Sequence, residues 1–361
     1  MTSRRVFVGA AAGLAIGGPS MAAGSEYWPA GNDWAGPAPG GSGLDQQRLA
    51  AGIDAAMAER SSSVVVLHKG RLAAERYAPG VKDPSLQEIA SAAKSMVSVL
   101  VGIAIDQGRI KSVEQSAADF IPAWRDKPQA AITIRHMLSM TSGQNFRGLA
   151  LRGVAGDQFG INAAAPQAVP PGTLWAYDTA TFHLLYHLIE RAVGEPFEVF
   201  AGRNLLGPLG MKDTTWLTNV GQGPGGPVTN YYSARSSARD LARFGLFAQR
   251  GGRWAGRQIV SAAYLKAATS PSQALNPAYG YLWWENARPG RGAGVGAGGA
   301  EGAGYRFEGS PRDTFAAMGA GGQVVMVVPS LELVVVRQGQ NPASAASLPR
   351  LLAAVCGAVR S

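Results

Sequence analysis

An apolar run covers residues 97–105 and includes Val97, Val99, Leu100, Val101 and Ile103. A helix drawn through it is apolar on every side, which predicts a helix buried at the centre of a large domain and stopped by Gly108. Upstream, Leu44, Leu49, Ile53 and Met57 recur at helical spacing over 44–60. The runs 63–67 and 72–76 flank Lys69-Gly70, the pattern of a β-hairpin. Residues 24–43, rich in Gly, Pro and aromatics, read as an extended arm. In the middle of the chain, 132–143 starts with a capping threonine and ends in a turn. An apolar helix over 180–193 is terminated by Gly194 and Pro196, and Ser237 caps another that has Asp240 in its first turn. The rest of this middle part reads as long loops. The last third turns to β: 279–284, where aromatic and small residues alternate, then 314–318, 324–328 and 333–336, with a closing helix over 348–359.

Strands at both ends with helices between predict a discontinuous α/β (α+β) architecture. Residues 24–90 and 250–361 form an antiparallel sheet flanked by terminal helices, 91–249 form a mainly helical domain, and a site between them is a cleft. With 361 residues, 46% of them hydrophobic, the chain can bury a sizeable core. The net charge of +9 raises nucleic acid as a partner, but the basic residues are scattered and no aromatic platform is interleaved with them. The charge is read as solubility and surface field.

The first 23 residues read as a twin-arginine export leader: Arg4-Arg5 precede an apolar stretch over 6–16, and Ser20-Met21-Ala22-Ala23 offers small-residue cleavage sites. The apolar stretch is too short and too rich in Gly and Ala for a membrane span. Cleavage after Ala23 removes two arginines and no acid, so +9 minus 2 leaves +7 on a periplasmic or secreted protein. The lone Cys356 has no partner for an internal disulfide, which suits a protein exported folded, and it is read as a core residue.

The anomaly in the central helix is Lys94, a charge at the head of an apolar run, costly unless it has partners or a task. Ser91 lies three residues before it, on the same helical face. A serine hydroxyl becomes a nucleophile when a neighbouring base takes its proton, and Ser-x-x-Lys at a helix start is the pattern of β-lactamases and penicillin-binding proteins. Alone, the pattern also arises by chance. Tyr177, in a loop just before a helix, is a second base candidate. A lysine charge about 4 Å away is worth about 4 kcal/mol at an effective dielectric near 20, enough to bring a phenol towards neutrality at about 1.36 kcal/mol per pKa unit. Burial that discharges Lys94 would instead make the amine the base, and the sequence leaves both assignments open.

Several motifs in one order carry a resemblance: Ser91-Ala92-Ala93-Lys94-Ser95 with its helix, residues 132–143, the segment from Pro171-Gly172 to Tyr177, Pro208-Leu209-Gly210-Met211, residues 240–245, and Tyr279-Gly280-Tyr281-Leu282-Trp283-Trp284. From about residue 63 onward the chain resembles the class C β-lactamase-related serine hydrolases. It is most similar to their 6-aminohexanoate-dimer hydrolase-like and esterase branch, through 279–284 and Gly319-Ala320-Gly321-Gly322-Gln323. The resemblance implies a β-lactamase/transpeptidase-like fold with Ser91 as nucleophile, Lys94 as its activator and Tyr177 as the base that later activates water. It implies an oxyanion hole of the Ser91 and Gln323 backbone N–H groups, and substrate contacts at Thr179, Ala320, Gly321, Gly322 and Trp283. One of Trp283 and Trp284 is expected in the core and the other on the pocket wall, by strand alternation.

Two departures bear on substrate. The family's Tyr-x-Asn is Tyr177-Asp178-Thr179, and its Lys-Thr-Gly or His-x-Gly strand motif is Ala320-Gly321-Gly322, which lacks the cation that meets a β-lactam or peptide carboxylate. Both favour small esters or amides without that anion over antibiotics and peptidoglycan, unless Arg147, Arg152 or Arg312 supplies the charge. A β-lactamase or D-alanyl-D-alanine carboxypeptidase is the alternative, and a binding or scaffolding protein of the same fold is the alternative of another class.

His183 and His187 share a helix face without the glutamate of a His-Glu-x-x-His site and are read as packing or surface residues. The glycine pattern over 294–299 lies in a Gly-rich stretch, 290–304, with no helix after it, and is read as a mobile loop overhanging the cleft. No Gly-x-Ser-x-Gly elbow is present. No metal or organic cofactor is implied, and the expected partner is a small-molecule substrate.

Overall fold

The computed structural model describes residues 26–30, 34–37, 41–82, 85–145, 156–290, 304–342 and 344–360. The leader at 1–23, Arg147, Arg152 and most of the Gly-rich stretch lie outside the described residues. Strands are numbered in chain order. The main sheet joins β1 (Ser61–His68) and β2 (Arg71–Tyr77) to β8 (Trp284–Glu285), β9 (Phe315–Gly319), β10 (Gln323–Val328) and β11 (Leu333–Gly339), in the antiparallel order β2-β1-β11-β10-β9-β8. The two ends of the chain therefore meet where β1 pairs with β11, as Val65 does with Val336. The expected hairpin is closed by Lys69 and Gly70, both at positive φ (51° and 75°), the backbone of a two-residue turn.

The central strands are continuous apolar runs because both faces of the sheet are covered. Val64, Val66, Val324, Met326 and Val335 point into one core with Leu49, Ile53, Leu352 and Val355 of the terminal helices Gln46–Ala58 and Ser347–Gly357. These two helices approach so closely that a Cβ on Gly52 would lie 2.7 Å from the Cβ of Ala354. Val65, Val325, Val327 and Val334 face the other way, into a larger core that runs without a break into the helical part. At its centre is the helix Ala93–Asp106, whose residues from Ala93 to Ala104 are all buried.

Three expectations need correction. The helix Ala238–Gln249, placed by the 249/250 boundary in the helical domain, packs on the sheet: a Cβ on its Gly245 would lie 2.4 Å from Val334 Cγ1 and 2.8 Å from Val325 Cγ1. The middle of the chain also contains a second sheet, β3 (Gln87–Glu88), β4 (Thr214–Gly223) and β5 (Gly226–Ser236), ordered β3-β5-β4. This long hairpin is rich in Thr, Asn and Gly and much of it faces solvent, Val220 being 66% exposed, so no apolar alternation announces it. Residues 279–283 are a tight turn rather than a strand, with the Gly280 N–H donating to Trp283 O at 2.9 Å and Leu282 at φ 63°. A two-stranded ribbon, β6 (Arg253–Trp254) and β7 (Arg257–Gln258), closes the fold beside the N-terminal arm. Among the described residues no helix is long and apolar enough to cross a membrane.

Candidate active site

The central helix begins one turn late. Ala90–Ala92 is a 3₁₀ turn, and the α-helix starts at Ala93. Ala90 has φ 47°, a left-handed conformation costing an L-residue roughly 1–2 kcal/mol, and it turns Ser91 out of the preceding strand. The turn is held from two sides. Ser95 Oγ donates to Leu282 O at 2.7 Å. The end of β9 presses on it so closely that a Cβ on Gly319 would stand 2.1 Å from Ile89 O and 3.0 Å from Ala92 N.

Lys94 is 3% exposed, and its Nζ donates to Ser91 Oγ at 3.1 Å. The same Nζ lies 4.3 Å from the Phe182 ring centroid and 5.3 Å from that of Tyr177. A charge in this apolar setting is tolerated because aromatic faces, a hydroxyl and the nearby Asp178 carboxyl surround it.

Tyr177 arrives from the other lobe. Its loop is tied to the segment after the helix Ile134–Leu138, where Ala176 N–H donates to Met140 O at 3.0 Å. It ends where Asp178 caps the helix Thr179–Val193, Oδ1 accepting from the N–H groups of Ala180 (2.9 Å) and Thr181 (3.2 Å). Trp284 stacks on the Tyr177 ring at 5.7 Å and 13°, and Tyr279 meets it edge-on at 6.1 Å. The phenol hydrogen-bonds to Ser91, yet burial outweighs that bond and pushes its pKa up to about 12. The expected fall towards neutrality is thus reversed, because desolvating the phenolate costs more than its neighbours return. Tyr177 rests as a neutral phenol.

Three residues are placed differently from expectation. Trp283 is fully buried, stacked on Phe244 at 5.4 Å and 15° and edge-on to Phe315, so it belongs to the core and Trp284 faces Tyr177. One tryptophan is thus in the core and the other beside the site, with Trp284 in the place the resemblance implied for Trp283. Gln323 heads β10 in register with Gly319, and its side chain donates to Gly339 O. The strand end that presses on the Ser91 turn is Gly319, four residues before Gln323. Arg312 lies over the Tyr305 ring, its Cζ 2.9 Å from the centroid.

Thr179 opens its helix half-buried beside Tyr177, and Ala320 is exposed on the turn after β9. Gly321 and Gly322 complete that turn at φ 83° and 73°, their carbonyls accepting from Arg337 Nη1 at 2.7 and 3.0 Å. Arg337 also donates to Glu59 O, Gln340 O and Ser61 Oγ, which fixes the turn from within the sheet.

Sequence reasoning missed two residues. Asp178 is half-buried, and desolvation raises its pKa to about 6 against the hydrogen bonds from Thr181 and Ala180 and the nearby Lys94 charge. A capping aspartate directly after Tyr177 was its available signal. Arg306 sits 3.8 Å over the Trp284 ring, and no local pattern marks it. His183 accompanies Gln158 (2.7 Å) and His187 pairs with Glu190 (2.7 Å), so the two histidines serve separate contacts. No cluster of His, Cys, Asp and Glu fit for a metal occurs among the described residues.

A hydroxyl with an amine and a phenol within reach, on a strained turn against a glycine strand end, is an arrangement suited to acyl transfer. The comparisons agree with that chemistry. The family model described as Beta-lactamase matches residues 49–355. An uncharacterized protein of Alkalihalophilus pseudofirmus is 25% identical over 307 residues, covering 76% of this chain and 82% of its own. Esterase EstB of Burkholderia gladioli is 28% identical over 195 residues, 48% of this chain and 49% of the esterase. In fold, the chain is similar to a Bacillus anthracis protein assigned as a 6-aminohexanoate-dimer hydrolase, with TM-score 0.61 at 17% identity over 81% of this chain and 77% of that one. The chain belongs to the β-lactamase family and is a serine hydrolase of β-lactamase/transpeptidase-like fold.

Proposed function

We propose that the protein hydrolyses small esters or amides through an acyl-enzyme on Ser91. The observation that carries this reading is the 3.1 Å contact between Lys94 Nζ and Ser91 Oγ, with Tyr177 hydrogen-bonded to the same serine. In acylation Lys94, once it has given up its ammonium proton, takes the proton of Ser91 Oγ as that oxygen attacks the carbonyl carbon, since Tyr177 holds its own proton. The tetrahedral oxyanion is received by the Ser91 N–H and the peptide at Gly319-Ala320, donors of a kind worth about 10²–10³ in rate. On collapse the bond to the leaving group breaks, and Tyr177 delivers a proton to it while taking one from Lys94. Water then attacks the acyl carbon along the reverse path, which frees Ser91.

The strand turn Ala320-Gly321-Gly322 carries no cationic side chain for a β-lactam carboxylate, which favours the esterase or amidase reading over a β-lactamase. The test is intact mass after a fluorophosphonate probe, for the protein and for Ser91→Ala, with turnover of short p-nitrophenyl esters and a chromogenic cephalosporin. Labelling lost in the variant, with ester but no cephalosporin turnover, is the expected result. No labelling and no turnover in folded protein would leave a binding protein of this fold. We further propose export by the twin-arginine route from the paired Arg4 and Arg5, checked by the amino-terminal residue of protein recovered outside the cytoplasm.

A further inference from the structure

The turn that follows Gly319 has little of its own to hold it in place. Ala320 is exposed, and Gly321 and Gly322 are a pair of the residue that loses most freedom on ordering. What fixes the turn is Arg337 of β11, only 1% exposed, whose five N–H groups all meet an oxygen. Its Nη1 donates to Gly321 O (2.7 Å) and Gly322 O (3.0 Å), its Nη2 to Gln340 O (2.8 Å) and Glu59 O (3.1 Å), and its Nε to Ser61 Oγ (2.9 Å). The turn lies so tightly on the guanidinium that a Cβ on Gly322 would stand 2.5 Å from Nη1. Glu59, the acid whose charge acts on Arg337, pairs instead with Arg350. A buried cation bound only to neutral oxygens adds less to stability than an apolar side chain of its size, so stability alone does not call for an arginine here. The turn, however, begins one residue after the contact that shapes the nucleophile: a Cβ on Gly319 would lie 2.1 Å from Ile89 O and 3.0 Å from Ala92 N, on either side of Ser91.

We propose that Arg337 is a positioning residue for the acyl transfer: by holding the carbonyls of Gly321 and Gly322 it sets how closely the end of β9 stands against the Ser91 turn, and so where the oxyanion is received. This rests on the hydrolase reading above and deepens it. Arg337 acts through the turn, and its planar fork reaches the turn on one side and residues 59, 61 and 340 on the other, which a compact ammonium cannot do. The oxyanion exists only beyond the ground state, so the effect falls on kcat and leaves KM nearly unchanged.

The experiment measures kcat and KM on a short p-nitrophenyl ester, per folded molecule, together with a denaturation midpoint. In Arg337→Ala kcat is expected to fall by about a hundredfold, the loss that follows a misplacement of about 1 Å. Guanidinium chloride at low millimolar concentration should restore part of it by filling the vacated place, and ammonium chloride should not. An arginine that only braces the fold would lower the midpoint and leave the kcat of folded protein at the wild-type value, with no response to guanidinium. That result overturns the proposal while the hydrolase reading stands, whereas a wild type without Ser91-dependent turnover overturns both. Should Arg337→Ala not fold, Ser61→Ala decides, since it removes the partner of Nε and leaves the other four bonds. A kcat lower by about threefold to tenfold, the fold-change of one hydrogen bond, with KM unchanged supports the proposal, and a wild-type kcat overturns it.

Discussion

Gly319 stands against the carbonyl of Ile89 with no room for a methyl group, the nearest approach of a hypothetical Cβ being 2.1 Å. This contact fixes the distance between β9 and the Ser91 turn, and with it the position where an oxyanion would rest between them. Gly319→Ala must push the turn away. We expect kcat to fall by about 10²–10³, as when one oxyanion donor is lost, and stability to fall by about 1–3 kcal/mol for the overpacking. Ester turnover and a denaturation midpoint on the same sample check both, and full activity in a folded variant would place the second donor elsewhere.

Lys94 and Tyr177 are separable by protonation state. Lys94→Met keeps the bulk in the core and removes the amine, so kcat is expected to drop by about 10²–10⁴. Tyr177→Phe is expected to lose activity to a similar extent. Because burial holds the phenol at about 12, ultraviolet titration from about pH 6 to about pH 10 should show no tyrosinate that vanishes in Tyr177→Phe. A phenolate appearing near neutrality would restore Tyr177 as the resting base.

The tryptophan pair divides into a core residue and a site residue. Trp283→Ala empties the space between Phe244 and Phe315 and should cost about 3–5 kcal/mol. Trp284→Ala removes the ring that Tyr177 stacks on and that Arg306 covers, so its larger effect is expected on kcat/KM per folded molecule. Denaturant titrations with active-site counting by the fluorophosphonate distinguish the two. Equal effects on both measurements would dissolve the division.

Glu285 supplies a pH dependence away from the chemistry. It is buried, one carboxyl oxygen has no hydrogen-bond partner among the described residues, and burial raises its pKa to about 8 from an ordinary 4.5. A raised folded value means that the native state binds this proton more tightly than the unfolded chain does. Its contribution is complete below the unfolded value and is lost as pH rises through about 8, each tenfold in proton affinity being worth about 1.4 kcal/mol. Glu285→Gln should therefore unfold at a higher temperature than the wild type at about pH 9, with the difference closing towards about pH 5. Parallel melting curves at both pH values would sink this account.

The sequence determined the elements whose signal is local: the buried helix over 97–105, the Lys69-Gly70 hairpin, the caps at Thr133 and Ser237, and the strands β1, β2, β9, β10 and β11 of the two chain ends. Period and capping are properties of neighbouring residues, so they survive in the sequence. It also determined Ser91 and Lys94 as a pair, because a helix brings i and i+3 together whatever surrounds it. Tertiary structure decided the rest. Tyr177 stands 86 positions after Ser91 (177 − 91), and what its phenol does depends on a desolvation that Trp284, Tyr279 and the closed core impose. The sequence supplied the nearby charge but not the burial, and burial won. Which of the two tryptophans faces the site was also decided there: the turn with Leu282 at positive φ sends Trp283 inward and Trp284 to Tyr177. Arg306 is legible only in three dimensions, since no local pattern places it over the Trp284 ring.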